Sequence, residues 1–298
     1  MVIVLCLPSG QGFFHQEGCS MRELTLELKK LLRNRIIQIV CLGFLAVAVF
    51  DPLSVMYEDF DQNGMLLRDI GKNPFQFWLL LNSVSWGNQV YNTLFWVIAV
   101  LLTGMLFFQE QKSAMLTCQM VRMGRRRYFA SKIFATGLFA FVSVFVILCV
   151  NLLVTCLVFR EWHVFSSYYE YLIPREGTFA AALYQVSPLW MMVGYVVLNA
   201  AALALFALFA LAMQMVFRFP NVYVAIVLPV VILFLLSYYM DTSPERFHYN
   251  IRMLLQPRAA SGLTEILSAQ DLAITFGGWA VIDAILLFLG VRRRREVV

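Results

Sequence analysis

Side chains that could carry out chemistry are few and far apart in this chain of 298 residues. The three histidines, His15, His163 and His248, are scattered, and no pair of cysteines stands at metal-ligand spacing with them. No serine or acidic pair accompanies a histidine at the spacing that nucleophilic catalysis requires. The sequence also lacks the G-x-x-x-x-G-K-[ST] loop that binds nucleotide phosphates. It therefore predicts a non-catalytic chain with no metal site and no cofactor of its own.

Three polar residues inside apolar segments are candidates for an intramembrane polar role. Asp283 is the one charged residue well inside such a segment. An acid within a bilayer is costly and often functional, but a single acid without a second titratable group at the same depth makes a poor proton relay. Asp283 therefore has either a packing role or a place in a polar pathway. Asn151 and Asn199 are expected to form hydrogen bonds across helix interfaces.

The composition indicates a membrane protein. Hydrophobic residues make up 61% of the chain and charged residues 14%, against roughly 45–50% and about 25% in an ordinary soluble domain. The apolar residues occur in segments long enough to cross a hydrocarbon core of about 30 Å. We therefore expect an all-α integral membrane protein with six transmembrane helices. The spans are predicted at about residues 36–56, 88–108, 133–159, 188–217, 222–240 and 272–291.

The distribution of basic residues predicts the orientation. With the N-terminus placed in the cytoplasm, more than two thirds of the 23 Lys and Arg residues fall in inner segments. Short loops rich in Lys and Arg stay cytoplasmic, so both termini are expected to lie inside. This distribution explains the positive net charge without a nucleic-acid partner.

The N-terminal region is predicted to contain a leader and an interfacial helix. The apolar run at residues 2–7 is too short for a signal-peptide core. Residues 1–20 are therefore expected to be a leader that is either poorly ordered or a misassigned start. The transmembrane domain is then residues 21–298. Ser20 and Glu23 fit a capping box, and leucines at helical spacing follow them. This pattern predicts an amphipathic helix lying on the inner membrane surface, or alternatively a solvated cytoplasmic helix.

Two expectations concern the outer face of the membrane. Asp51 is expected near the outer interface, where its carboxylate can reach water. The apolar, aromatic run at residues 75–81 is too short to span the bilayer, so an interfacial helix is predicted there.

The segment between spans two and three, residues 109–132, is the most informative. It reads as a short helix with an apolar face formed by Met115, Leu116 and Gln119 beside Met120 and Met123. Gly124 can end this helix, and a basic elbow then leads into span three. Such an apolar face needs cover, which either a cytoplasmic partner protein or the bilayer surface could supply.

This segment resembles the corresponding loop of ABC-2 type ATP-binding-cassette transporter permeases. In that family an acidic residue ends span two, a short coupling helix follows, and an arginine-containing elbow and a small residue with lysine open span three. Glu110, Arg126 and Ser131–Lys132 stand at similar offsets. The family often has glycine where Ala114 stands and proline where Met123 stands. The resemblance extends over about residues 21–295, through the amphipathic helix, six spans and coupling loop.

The resemblance implies a permease subunit that exports a peptide, lipid or drug-like substrate across the cytoplasmic membrane of a bacterium. ATP and Mg²⁺ would be bound by a separate cytoplasmic ATPase dimer, and a second permease copy or a homologous permease would complete the complex within the lipid. A secondary transporter and an intramembrane enzyme are the alternatives. The residues expected to contact the ATPase are Glu110, Lys112, Met115, Leu116, Gln119, Met120, Met123 and Arg126.

Overall fold

A computed structural model describes residues 18–57, 74–75, 77–82, 85–102, 104–113, 115–160, 179–257 and 268–293. Within these ranges the chain consists of helices joined by turns and contains no strand. Most of the predicted leader therefore lies outside the described residues.

Six helical segments are long and apolar enough to cross a membrane, as predicted. The second segment consists of two helices, α3 and α4, and each of the others is a single helix. Their bounds are α2 (Arg35–Tyr57), α3 (Trp86–Leu101) with α4 (Gly104–Lys112), α6 (Arg125–Val158), α8 (Pro188–Val216), α9 (Val222–Asp241) and α12 (Ala269–Arg293).

Shorter helices flank these segments. They are α1 (Gly18–Arg33), α5 (Met115–Met123), α7 (Phe179–Val186), α10 (Pro244–Phe247) and α11 (Ile251–Leu254). The predicted capping box at Ser20 is wrong, because α1 runs from Gly18 and Ser20 lies within its first turn. The predicted short helix after span two is present as α5.

Helix α6 begins eight residues before the predicted start of span three. Its 34 residues correspond to about 51 Å at roughly 1.5 Å per residue, well beyond the hydrocarbon thickness. The basic elbow is thus the first turns of α6 rather than a loop. Gly124 separates α5 from α6 with a φ of 77°, a left-handed conformation that glycine adopts without steric cost.

Helix α8 lies at the centre of the bundle and packs against α3, α6 and α12. Small residues on α8 allow this close packing, since Ala200 and Ala207 are fully buried. Gly137 of α6 lies against Leu208 of α8. The peripheral helices α9 and α12 leave most of their apolar surface exposed, as lipid-facing helices do.

The aromatic run predicted as an interfacial helix is instead part of the core. Residues 77–82 form turns, and Phe75, Trp78 and Leu79 are buried in the main hydrophobic cluster. The expectation of an interfacial helix was wrong because the run was judged by its length and aromatic content. Packing against the neighbouring helices buries it without a helical conformation.

Asp51 does not reach water as expected. Helix α2 continues through Pro52, and the Asp51 side chain is fully buried. Its Oδ1 accepts a hydrogen bond of 3.0 Å from the backbone N–H of Gly87, in the first turn of α3. A carboxylate at a helix N-terminus is favourable because the unpaired N–H groups there carry partial positive charge.

Replacing Gly87 with alanine should destabilise the protein. A Cβ at this position would lie 2.3 Å from Asp51 Oδ1 and 2.6 Å from Asp51 Cβ, so the two helices must move apart. Such overpacking costs about 1–3 kcal/mol. Unfolding of the detergent-purified protein by sodium dodecyl sulfate measures this loss. Gly43→Ala on α2, where a Cβ meets nothing within 4 Å, is the matched control, and equal stability of the two variants would refute the close approach.

Candidate functional site

A cluster of buried charge joins three helices at the end of the bundle where α4 ends and α6 begins. We call the four residues Glu27, Lys30, Glu110 and Lys132 the ion cluster. Lys132 Nζ lies 2.8 Å from Glu27 Oε2 and 2.7 Å from Glu110 Oε2. Lys30 Nζ lies 3.2 Å from Glu110 Oε1 and also pairs with Glu27. Each carboxylate therefore contacts both lysines, and the cluster is electrically neutral.

The helical repeat places these side chains. Glu27 and Lys30 are three residues apart on α1, and Tyr128 and Lys132 are four residues apart on α6, so each pair shares one helix face. Tyr128 donates a hydrogen bond of 2.8 Å to Glu110 Oε2. Glu110 occupies the last turn of α4. The end of α4 is thereby tied to both α1 and α6.

Burial makes the ion cluster a rigid connection. Lys132 is only 4% exposed, and Glu27 and Glu110 are similarly buried. A buried charge is tolerated when opposite charges and hydrogen bonds replace its lost hydration, and removing one partner is costly. Any displacement of α4 relative to α1 or α6 would break these contacts, so the three helix ends are expected to move together.

The environment of Lys30 favours its charged form. Partial burial acts to lower the pKa of Lys30, but the hydrogen bond to Glu27 and the negative charge of Glu110 outweigh this effect. The pKa of Lys30 therefore lies above its ordinary value. A raised lysine pKa contributes stability that is present at neutral pH and is lost only as the pH rises through that pKa. We infer that Lys30 stays charged throughout the physiological range.

The apolar face of α5 is covered by the chain itself. Leu116 and Met120 are 8% and 6% exposed. They belong to a second hydrophobic cluster, whose other buried members are Phe107, Tyr128, Phe129, Leu211 and Met215. Helix α5 thus packs across the ends of α4, α6 and α8. The apolar face of α5 is therefore buried by other helices of the same chain, and not by a partner protein or the bilayer.

The opposite face of α5 is open. Val121 is 76% exposed and Met115 46% exposed, and Cys118 and Arg122 are exposed beside them. We call Met115, Cys118, Val121 and Arg122 the outer face of α5. A partner that docked on this helix would contact this face rather than Leu116 and Met120.

The remaining residues expected to contact a partner are divided between buried and exposed positions. Lys112 is exposed, with its Nζ 5.1 Å from the centre of the Phe108 ring. Gln119 and Met123 are half-buried, and Arg126 is exposed.

The sequence did not identify Glu27 or Lys30 as site residues. The pattern of an amphipathic helix places both on its polar face. Lys132 was identified as a basic residue of the inner segment and through the family resemblance. The contacts of the ion cluster span up to 105 residues of sequence, and helix periodicity alone carries no signal for pairs so far apart.

Comparisons of this chain with protein-family models, with curated proteins and with solved structures give no match. Membership of the ABC-2 permease family stays a prediction from Glu110, Arg126 and Ser131–Lys132 and from the order of the helices.

Asn151 and Asn199, which lie in two of the predicted spans, each bond to a neighbouring element. Asn151 of α6 donates to the carbonyl oxygen of Ala48 on α2 at 2.7 Å. Asn199 of α8 accepts from the Tyr91 hydroxyl at 2.9 Å and donates to the carbonyl oxygen of Leu255 at 3.2 Å. The bond of Asn151 connects α6 to α2. The bonds of Asn199 connect the central helix α8 to α3 and to the segment that follows α11.

Asp283 faces α8 in an apolar interface. It is 3% exposed and shares the buried face of α12 with Thr275 and Gly290. Gly290 contacts Met215 of α8 closely. Among the described residues, neither carboxylate oxygen of Asp283 has a hydrogen-bond partner. This position fits the packing alternative better than the polar pathway.

Asp283→Leu should therefore stabilise the protein. A buried polar group without a partner costs about 1–3 kcal/mol, and leucine removes that cost while filling the interface. Asp271→Leu on the same helix is the control and should destabilise the protein, because Asp271 accepts hydrogen bonds from Ser268 at the start of α12. Unfolding in sodium dodecyl sulfate measures both variants. A destabilised Asp283→Leu would show that the carboxylate has a partner or a pathway role.

Proposed function

We propose that this chain is the membrane-spanning permease subunit of an ATP-driven ABC transporter that exports a peptide, lipid or drug-like substrate. In this proposal both termini lie in the cytoplasm of a bacterium. ATP is hydrolysed by a separate ATPase dimer that docks on the outer face of α5. A second permease copy or a homologous permease completes the transport pathway.

The ion cluster is the observation that carries this proposal. A permease must convert movement of a cytoplasmic subunit into movement of its spans, and packed side chains and salt-bridge networks can carry such coupling. The ion cluster fixes the end of α4 to α1 and to the start of α6. Helix α5 is connected to the same place, because Leu116 and Met120 pack in one hydrophobic cluster with Phe107 and Phe129.

The packing of α5 against its neighbours can transmit a displacement of α5 to the spans. A push on the outer face of α5 is transmitted through its buried face to α4, α6 and the central helix α8. Closure of the ATPase dimer would supply this push and change the balance between inward-open and outward-open states. ATP can shift that balance only if the complex binds it with different affinity in the two states.

The exposed surface of α5 supports docking of a protein. Val121 and Met115 are large apolar side chains exposed on a helix at the end of the bundle. Methionine and arginine are enriched in protein interfaces, so Met115 and Arg122 are residue types expected there.

Recovery of a partner tests the proposal. The tagged chain, extracted from its native membranes in mild detergent, should retain an ATPase subunit in a fixed ratio. Recovery of the chain with no ATPase, and with transport driven by an ion gradient, would instead indicate a secondary transporter.

A further inference from the structure

An open basic groove lies where α5, α6 and the end of α12 meet. Its volume is about 560 Å³, and its lining residues are Met123, Gly124, Arg125, Arg126, Arg127 and Val291. Exposed Arg292 and Arg293 follow Val291 directly in the chain. None of these lining residues is acidic, so the groove concentrates positive charge. We call it the arginine groove.

The fold places this positive charge at the N-terminus of a helix. Arg125, Arg126 and Arg127 form the first turn of α6, where the helix dipole repels cations. Gly124 at the N-cap supplies no side chain to accept from the first-turn N–H groups. Arg125 donates to the carbonyl oxygen of Val291, so it holds α6 against the end of α12. Arg126 and Arg127 are exposed beside it.

Orientation in the membrane does not by itself explain the groove. The positive-inside rule requires only that basic residues lie on one side of the membrane. It does not require residues 125–127 to converge with the end of a span more than 160 positions later. An anion in the groove would offset both the mutual repulsion of the arginines and the unfavourable dipole.

We infer that the arginine groove binds the phosphate-bearing headgroup of an anionic membrane lipid. Val291 lies in the last turn of α12, at the level where this span leaves the hydrocarbon. Phe288 and Leu289, one turn earlier, are exposed and can contact acyl chains. A basic pocket between spans at the inner membrane surface has the chemistry that binds such headgroups. The inference uses the proposed orientation but not the proposed ATPase.

Native mass spectrometry of the detergent-purified protein tests this inference. Phosphatidylglycerol and phosphatidylcholine of equal chain length are added separately, and the fraction of protein carrying bound lipid is measured. The wild type should retain phosphatidylglycerol preferentially. Arg126→Gln with Arg127→Gln should weaken that retention on the order of tenfold, as expected for two basic residues near a lipid phosphate.

The matched control removes two arginines elsewhere on the same side. Arg33 and Arg35 are exposed and lie outside the groove, so Arg33→Gln with Arg35→Gln should leave retention unchanged. Equal loss in both double variants, or equal retention of the two lipids by the wild type, would overturn the inference. Binding of added inorganic phosphate by the wild type, without a preference for phosphatidylglycerol over phosphatidylcholine, would show a site for soluble anions instead. The amount of bound ATPase is read separately in the same spectra. If Arg126→Gln with Arg127→Gln lost a bound acidic protein but kept its lipid, the groove would be a protein interface and the inference would be overturned.

Discussion

Lys132→Met is expected to destabilise the protein by about 3–5 kcal/mol, the cost of removing one partner from a buried ion pair. Lys132 Nζ contacts both Glu27 and Glu110 within 2.8 Å. Without it, two buried carboxylates share only Lys30, which is partly exposed. The free energy of unfolding in sodium dodecyl sulfate, measured on the detergent-purified protein, gives the size of the loss.

Two further variants distinguish loss of the ion cluster from loss of a lysine. Glu110→Gln with Lys132→Met removes one charge of each sign and leaves Glu27 paired with Lys30, so it should cost less than Lys132→Met alone. Lys112→Met removes an exposed lysine two residues after Glu110 and should change stability by about 0.5 kcal/mol or less. If Lys132→Met and Lys112→Met were equally stable, the ion cluster would not be the rigid connection that the proposed mechanism needs.

Under the proposed function, Met115→Asp with Val121→Asp is expected to release the proposed ATPase subunit while leaving this chain folded. Both side chains are exposed on α5, so aspartate meets only solvent in the isolated chain. Burying an apolar side chain of this size in a partner contributes roughly 1.5–3 kcal/mol. Loss of both should reduce the ATPase recovered per permease more than tenfold. The measurement is made in detergent, where no bilayer surface competes for the helix.

The buried face of α5 gives the opposite expectation. Leu116→Asp with Met120→Asp places charges in the cluster formed with Phe107 and Tyr128 and should unfold this end of the bundle. Val186→Asp is the matched control for Val121→Asp, since Val186 is 83% exposed on α7, at the other end in the proposed orientation. A Met115→Asp and Val121→Asp variant that kept its full complement of ATPase would exclude the outer face of α5 as the docking surface.

Most of the fold was predicted from the long apolar runs of the sequence. The six spans and the short helix after the second were predictable because each depends on local sequence. Where polar residues intervene, the local signal fails. The start of α6 was missed because Arg125–Arg127 and Lys132 read as a loop, although such residues are compatible with a helix.

The environment of charged residues was the least predictable part of the site. Glu110 was identified through the family resemblance, in which an acidic residue ends span two. Its partner Lys30 belongs to a helix 80 residues earlier. Asp51 is buried against the backbone of Gly87, 36 residues later. Long-range pairing of this kind decides whether a charge is solvated, and one sequence without its relatives does not encode it in any local pattern.

The alkylation rate of Cys118 tests the docking of an ATPase on α5 most directly. Cys118 is exposed on the outer face of α5, so a variant with the other five cysteines replaced makes it the sole thiol. With the ATPase bound in detergent, Cys118 should react slowly with a maleimide, and removal of the ATPase at high salt should restore rapid labelling. An equal rate with and without the ATPase would contradict docking on α5 and, with it, the proposed mechanism.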